Sequence, residues 1–347
     1  MRYLVLGLCG PLIFLNVWLM GQVYHFFEQV ISITALSAIL ALLLNYPVQW
    51  LTKINIRRQW AIFVVASLAI TLLVMVALAV VPLVLNQAIE LLEAIPQWLS
   101  ESSDQITMLD ELAKARRWPI DFSQVTSQLQ GLIQSLLEWL PELAVSTLGR
   151  IFDAVIMFVM TFYMLLYGEP MWRGMMNLLP KPYGKAVSGA IRYNFQQFFI
   201  SQLLLALFML VVLTIAFLII KVRFALLLAL LIALFELIPF IGATIGISLV
   251  VLLVLLQGPW LAFYTAIAAI ILQQIKDNIL APKLFGSFIG LNPIWVFIAL
   301  LIGGRVAGLL GILLSVPIAG TVKACIEKIQ KTQRVLEVIK GASDYTV

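Results

Sequence analysis

The sequence predicts an all-α integral membrane protein with seven to eight transmembrane helices, broken or re-entrant helices in its C-terminal half, and an extramembrane helical hairpin. Of its 347 residues, 63% are hydrophobic and only 11% are charged, and the mean hydropathy is +1.06. A soluble domain carries about 25% charged residues, so lipid must be the solvent for most of this chain. Long charge-free runs supply the helices, and prolines and glycines interrupt the later runs.

Charge-free runs locate the membrane helices, because a spanning helix needs about 20 mostly apolar residues. The first run also has the composition of a signal peptide, but no small-x-small cleavage pattern ends it, which favours a retained helix. The runs cover residues 3–27, 29–52, 59–89, 154–168, 193–220, 237–275, 284–304 and 306–322.

The stretch 85–150 has a different character. It holds nine acidic and four basic residues, so we expect it to lie in water. Leucine and isoleucine recur along it with helical spacing, which predicts a helical hairpin that continues the third and fourth membrane helices. The apolar stripes would pack on each other or form an assembly surface. They are Leu85, Ile89, Leu92 and Ile95 on one arm, and Leu129, Leu132, Leu136 and Leu140 on the other.

Basic loops orient the chain, because short loops rich in Lys and Arg stay in the cytoplasm. The loop with Lys53, Arg57 and Arg58 contains no acid, and the loop 169–192 carries four basic residues, so both are predicted to be cytoplasmic. The loop 21–29 has no Lys or Arg. This loop and the acidic hairpin are therefore predicted to be extracytoplasmic.

The same rule places both termini of a multi-pass protein in the cytoplasm. Only the "KVR" turn at 221–223 disagrees, since counting helices puts it outside. The predicted parts are N-terminal transmembrane helices 1–3 at 1–84, the extracytoplasmic hairpin at 85–150, transmembrane helix 4 and a cytoplasmic linker at 151–199, a C-terminal transport unit at 200–322, and an amphipathic cytoplasmic tail at 323–347.

Prolines and glycines recur after residue 220 and predict broken helices. A proline in a membrane helix frees backbone groups that protein or water in a cavity must satisfy. Paired interrupted segments are typical of a transporter's binding site. "FELIPFIG" (235–242) and "LLSVPIAG" (313–320) share a Pro-x-x-Gly ending and suggest an internal repeat. The predicted break residues are Pro239, Gly242, Gly246, Pro282, Gly286, Pro293 and Pro317.

Polar residues near these breaks are the candidate site, because ionisable groups are costly in hydrocarbon and are retained for function. We predict that Glu236 and Asp277 couple transport to an ion and that the other members line the pathway. Alternatively, Glu236 is an interfacial carboxylate, Asp277 pairs locally with Lys276, and Arg305 is a counter-ion to one of the acids or lies at an interface. The predicted site residues are Glu236, Asp277, Asn278, Gln273 and Arg305.

Composition argues against several other functions. His25 is the only histidine, and Cys9 and Cys325 lie far apart in the sequence, so we expect no metal site, no catalytic residues, no cofactor and no enzymatic activity. No Walker A pattern is present for ATP. The basic residues lie between apolar runs, which indicates membrane topology and not a nucleic-acid partner.

Three C-terminal motifs resemble those of the autoinducer-2 exporter family of bacterial membrane proteins. A P-[FY]-[IV]-G element falls on Pro239–Gly242, an element with D/E-N and P-K on Asp277–Gly286, and a glycine-rich element closing in proline on Gly308–Pro317. "NYPVQWL" (45–51) and "AIPQWL" (94–99) extend the resemblance over nearly the whole chain.

The resemblance implies a transporter of the bacterial inner membrane that exports a small solute, autoinducer-2-like or another small metabolite, and that forms a homo-oligomer, with a pentamer suspected. The acid beside a broken helix predicts that this secondary transport is coupled to an ion. One alternative is a Na⁺(Li⁺)/H⁺ antiporter, and a second is a non-transporting oligomeric scaffold. "KVRF" at 221–224 departs from the family, in which many members have a glycine-containing apolar turn.

Overall fold

The computed structural model describes residues 2–101, 131, 152–178, 183–285 and 292–344. All regular structure in these ranges is helical, which confirms the predicted all-α class. We number the helices α1 Arg2–Lys53, α2 Arg58–Glu101, α3 Phe152–Met176, α4 Tyr183–Ile220, α5 Ala225–Phe235, α6 Gly242–Leu255, α7 Pro259–Ile275, α8 Ala281–Phe285 and α9 Pro293–Asp344, with a π-helical turn at Lys276–Leu280 between α7 and α8.

Five segments of the described helices are long and apolar enough, by length and composition, to cross a membrane, although the fifth contains the fold-back of α9 described below. The qualifying segments are Leu19–Lys53, Arg58–Ile95, Phe152–Met176, Val187–Ile220 and Ile294–Glu327. Helices α5 and α6 are also apolar but have only 11 and 14 residues. At 1.5 Å per residue they are about 16 and 21 Å long, shorter than the roughly 30 Å hydrocarbon core.

The predicted loop at 21–29 is wrong, because α1 runs through it without interruption. The loop was inferred from a charge, and a charge does not end a helix. Gly21 is the only glycine there, and one glycine costs a long helix only about 1 kcal/mol. Glu28 lies on an exposed face, where its carboxylate is 3.4 Å from a ring nitrogen of His25. The cytoplasmic placement of the N-terminus depended on this loop and loses that support.

Helix α2 continues without a break past residue 85 into the polar stretch, as far as Glu101. The buried face of this extension differs from the predicted stripe: Leu91 and Ile95 are buried, while Leu85 and Ile89 are about half exposed. The spacing of apolar residues does not show which face of the helix is buried, because a face in contact with lipid is as apolar as a face packed in the protein interior. The leucine stripe of the second arm lies outside the described residues.

Two compact units divide the chain. The first contains residues 1–66, 153–200 and 285–347, and the second contains residues 67–152 and 201–284. The division between Leu284 and Phe285 therefore falls inside the stretch 200–322 that the sequence predicts as one transport unit.

Within the first unit, α1 and α3 pack in parallel. Gln29 donates a hydrogen bond to Asp153, and the Thr161 hydroxyl donates to the Ser37 carbonyl oxygen; each pair is 124 residues apart, so the register is constant. The two loops that follow these helices consequently lie at the same end of the unit. Arg58 and Glu169 form an ion pair of 2.6 Å there. This agrees with the prediction that both basic loops share one side of the membrane.

Helix α9 folds back on itself at Ala307 and Gly308, whose backbone angles are not helical. The Ser315 hydroxyl donates to the Ala299 carbonyl oxygen across the hairpin, 2.8 Å away. Gly303 and Gly311 face each other so closely that a methyl group on either would overlap the other's carbonyl oxygen. The separate apolar runs predicted on each side of residue 305 are therefore two arms of a hairpin.

The second unit contains the α5–α6 hairpin packed against α7. Its core is formed by large apolar side chains of α4, α5 and α6 with the end of α2, including Met209, Phe217, Leu228 and Val250. The turn before α5 and the turn after α6 lie together, since the Arg223 N–H donates to the Gln257 side chain at 3.2 Å.

Three of the predicted break residues lie where helices end or begin, and a fourth lies inside a helix at a close contact. Pro239 lies in the turn between α5 and α6, Gly242 begins α6, and Pro293 begins α9, where the Asn292 side chain accepts the Ile294 N–H. Gly246 lies inside α6 and allows close approach, since a Cβ there would lie 3.0 Å from the Phe235 Cβ.

Pro282 lies at the start of α8, directly after the π turn that interrupts the regular α-helix. Pro317 lies within the second arm of α9, where the chain stays helical, so no break occurs there. Pro239 and Pro317 therefore occupy different structures, which removes the support for an internal repeat. Gly286 lies outside the described residues.

We expect Gly242→Ala to destabilise the α5–α6 hairpin, because the added methyl group would overlap the Phe235 carbonyl oxygen. Overpacking of this kind costs about 1–3 kcal/mol. Gly189→Ala is the matched control: Gly189 is helical with open space around it, so alanine should be neutral or stabilising. Thermal unfolding of the protein in detergent measures both, and an unchanged melting temperature for Gly242→Ala would contradict this close packing.

Candidate functional site

The turn Glu236–Ile241 joins the two short helices of the second unit. The backbone reverses here because Phe240 adopts a positive φ of 67° and the Ile241 N–H bonds to the Pro239 carbonyl oxygen at 2.9 Å. Gly242 then starts α6, with its N–H on the Ile238 carbonyl oxygen. The sequence "ELIPFIG" therefore makes a compact turn whose first residue is an acid.

A buried ion pair closes this turn onto the end of α7. The Lys276 ammonium donates to Glu236 Oε1, and the two side chains are only 5% and 7% exposed. Placing two charges in a low-dielectric interior is costly unless they pair. The pair therefore holds together two elements that are 40 residues apart in the sequence.

Asp277 supplies a second carboxylate to the same ammonium group. Its Oδ1 lies 2.9 Å from Lys276 Nζ, and its side chain is 50% exposed. Gln273 holds the other oxygen, since its Nε2 donates to Asp277 Oδ2 at 3.2 Å. With all three groups ionised, one cation faces two carboxylates, and the cluster carries a net charge of −1.

Two polar residues of α4 bond the backbone around this cluster. The Gln202 side-chain amide donates to the Glu236 carbonyl oxygen, and the Ser201 hydroxyl donates to the Leu284 carbonyl oxygen at 2.8 Å. Both side chains are buried. Freed backbone groups in an apolar medium need such internal partners.

Two buried oxygens near the turn and the end of α7 have no hydrogen-bond partner among the described residues: Glu236 Oε2 and Gln273 Oε1. Buried polar atoms are nearly always paired, so an unpaired carboxylate oxygen calls for an explanation. Of the two atoms, Glu236 Oε2 bears more directly on function, because the other oxygen of the same carboxylate already accepts a hydrogen bond from Lys276. Oε2 can accept a proton or bind a cation. Among the described residues, no three His, Cys, Asp or Glu side chains converge on one point.

The π turn Lys276–Leu280 carries Lys276 and Asp277. Within it the Ala281 N–H bonds to the Lys276 carbonyl oxygen, five residues back. Pro282 follows and has no N–H to continue an α-helical ladder. Single π turns inside helices are frequent at functional sites.

The structure brings together three of the five predicted site residues: Glu236, Asp277 and Gln273. Asn278 is exposed and bonds to Gln274 at 2.9 Å, so it lies beside the ion pair and not within it. Arg305 is exposed and belongs to the first unit. The cation that neutralises Glu236 is Lys276, where the sequence had offered Arg305 as a possible counter-ion.

Sequence reasoning counted Lys276 among the ionisable groups of this region but did not predict that it pairs with Glu236. It did not single out Ser201 or Gln202. A signal for the last two was present, since adjacent polar residues inside the uncharged run 193–220 are unusual in a membrane helix.

Comparison with known proteins identifies the family. The description "AI-2E family transporter" matches residues 11–331. The chain belongs to this family. It is 36% identical over 337 residues to sll0063 of Synechocystis sp., a protein named by inference as a transport protein, with 95% of this chain and 85% of that protein covered.

Other relatives of the AI-2E family transporter carry similar names. The chain is 31% identical to a second Synechocystis protein named by inference for transport, over 93% of this chain and 95% of that protein. It is 26% identical to PerM of Escherichia coli (strain K12), named by inference as a permease, over 88% of each. The match covers both units, so the buried cluster lies in a membrane transporter chain.

We predict strong energetic coupling between Glu236 and Lys276. Lys276→Met alone should cost about 3–5 kcal/mol, because it leaves the buried Glu236 carboxylate unpaired. Glu236→Gln should cost less, because the Lys276 ammonium group keeps Asp277 at 2.9 Å. The double substitution should cost at least about 1 kcal/mol less than the sum of the two.

Chemical unfolding in detergent measures this cycle, with Arg58→Ala as the control. Arg58 and its partner Glu169 are 46% and 39% exposed, so breaking that pair should cost less than about 1 kcal/mol. Additive effects of Glu236→Gln and Lys276→Met would contradict the buried pair.

Proposed function

We propose that this AI-2E family protein is a secondary transporter that moves a small solute across the bacterial inner membrane, with an ion coupled at Glu236. The observation that carries the proposal is a buried carboxylate with one unpartnered oxygen, Glu236 Oε2, at the turn of a hairpin too short to cross a bilayer. Binding sites of secondary transporters lie at such interrupted helices near the bilayer midplane.

Charge balance supports a cation or proton as the coupled ion. The cluster has two carboxylates against one ammonium group, so it attracts positive charge. An anion would have to approach two carboxylates at close range, which is unfavourable. The family name supports export of an autoinducer-2-like molecule or another small metabolite as the solute.

The proposed topology follows from chain direction and the positive-inside rule. With the loop after α1 in the cytoplasm, α2 leads outward, α3 returns inward and α4 leads outward. The α5–α6 hairpin then enters from the outer side and returns to it. A multi-pass chain in the inner membrane with a cytoplasmic C-terminus fits this path. The homo-oligomer, with a pentamer suspected, stays a prediction.

Single cysteines test this topology in a Cys9→Ser, Cys325→Ser background. Ile54→Cys and Leu178→Cys, at exposed positions in the two basic loops, should react with a membrane-impermeant thiol reagent from the cytoplasmic side. Arg223→Cys, in the exposed turn before α5, should react only from the opposite side. Labelling of Ile54→Cys and Leu178→Cys from different sides would contradict the proposal.

Flux through purified protein in liposomes loaded with a pH-sensitive dye tests the function itself. Under imposed Na⁺, Li⁺ or K⁺ gradients, each applied with and without added small organic solutes, we expect the wild type to move protons when a transported solute is present. Glu236→Gln should lose that flux, because the amide cannot take up a proton or hold a cation. Lys283→Gln, at an exposed lysine of α8, is the control and should keep the flux.

The outcomes of this flux measurement separate the alternatives. Proton movement with no organic solute present would favour Na⁺(Li⁺)/H⁺ antiport over solute export. Proton movement that appears only with an added small organic solute would favour coupled export. Equal flux in wild type and Glu236→Gln would remove Glu236 from the pathway, and no flux from the wild type under any condition would favour a non-transporting scaffold.

A further inference from the structure

Lys276 contacts two carboxylates, one buried and one half exposed. Its ammonium group bonds to Glu236, whose side chain is 7% exposed, and lies 2.9 Å from an oxygen of Asp277, whose side chain is 50% exposed. A lysine that only neutralised Glu236 would need no second carboxylate. The arrangement instead offers the same cation an inner and an outer partner.

We propose that Lys276 is a mobile counter-ion that leaves Glu236 for Asp277 when Glu236 takes up a proton or a cation. The proposal rests on the proposed function, in which Glu236 is the coupling carboxylate. Once Glu236 is neutralised, a buried Lys276 ammonium is an uncompensated charge, which is strongly unfavourable. Moving toward Asp277 restores its pairing and returns it toward water.

The local structure makes this exchange easy. Asp277 is the neighbouring residue, so the exchange needs only side-chain rotation of a flexible four-carbon stem with three donors. Gln273 already holds Asp277 Oδ2, which leaves Oδ1 oriented toward the ammonium group. Both residues lie in a π turn, where the helix departs from its regular winding.

The proposed exchange also gives Glu236 Oε2, which has no partner among the described residues, a role as the binding atom for the incoming ion. An incoming proton or cation can bind at Oε2 while Lys276 still holds Oε1, so the site need not pass through a bare buried carboxylate. The incoming charge then weakens the hold of Glu236 on Lys276. Lys276 is therefore a positioning residue. Its carboxylate partner, Glu236 or Asp277, depends on whether Glu236 has bound a proton or a cation.

The first test measures whether Lys276 becomes accessible when Glu236 is neutral, and it does not require transport. The full-length protein in liposomes is treated with a small amine-acetylating reagent, and acetylation is read by mass spectrometry. The ratio of Lys276 to Lys283 labelling is the readout, because Lys283 is exposed and serves as an internal reference.

Wild type should give a low ratio, and Glu236→Gln should raise it by at least about tenfold, as expected when a buried cation loses its partner. A ratio in Glu236→Gln equal to that of wild type would overturn the proposal, because Lys276 would then remain buried without its partner.

The second test removes the outer carboxylate alone, with proton flux under the gradients and solutes of the flux measurement as the readout. Asp277→Asn keeps the buried pair and the carboxylate at 236, so we expect near-wild-type thermal stability with reduced flux, while the conservative Asp277→Glu should keep the flux. Wild-type flux in Asp277→Asn would overturn the mobile counter-ion while leaving the pair essential.

Failure of the proposed function gives a different pattern. If Glu236 were not in the pathway, Glu236→Gln would keep its flux whatever the labelling ratio showed. If only the mobile counter-ion were wrong, Glu236→Gln would lose its flux while the labelling ratio stayed at the wild-type value.

Discussion

The ion pair between Glu236 and Lys276 fixes the centre of the second unit. A turn placed among apolar helices must satisfy its polar groups within the protein, because hydrocarbon offers no hydrogen bonds. Here the Glu236 carbonyl oxygen is satisfied by Gln202 and its carboxylate by Lys276. The close packing at Gly242 then brings the two short helices together. Each of these contacts depends on the turn remaining where the pair holds it.

The α9 hairpin shows that a helical hairpin in this protein can close without charges. Its arms meet at Gly303 and Gly311, and the Ser315 hydroxyl bonds to the carbonyl oxygens of Ala299 and Gly311, with no acid or base at the contact. The α5–α6 hairpin also closes through neutral contacts, at Gly242 and Gly246 against Phe235. The ion pair instead joins its turn to the π turn after α7, and these charges need a reason beyond folding, since neutral replacement of a buried pair is often as stable.

The sequence predicted the local features of the site and missed the long-range ones. Proline and glycine within "ELIPFIG" indicated a broken helix, and the cost of ionisable groups in lipid indicated Glu236 and Asp277. The pairing of Glu236 with Lys276 joins positions 40 residues apart, and no local pattern encodes it. Hydrophobic spacing was also a weak guide to burial, as Leu85 and Leu91 show, because apolar residues face lipid and protein alike.

Charge and proline were each over-interpreted as helix ends. Glu28 lies on the exposed face of an unbroken α1, and Pro317 lies within α9. In the "KVRF" turn, Lys221 has a φ of 64°, a backbone conformation that favours glycine. The predicted hairpin at 85–150 is supported only as far as α2 extends.

The distribution of charge within the cluster explains how a net negative site can exist beside an apolar core. The inner pair is neutral as a unit, so its burial is tolerable, while the surplus negative charge resides on Asp277, whose side chain is half exposed to solvent. A proton or cation at Glu236 Oε2 changes this balance, because the inner pair would then carry a positive charge. That charge must be relieved by movement of Lys276, by release of the ion, or by displacement of the turn. A site balanced in this way responds to a single ion with a structural change, as coupling requires.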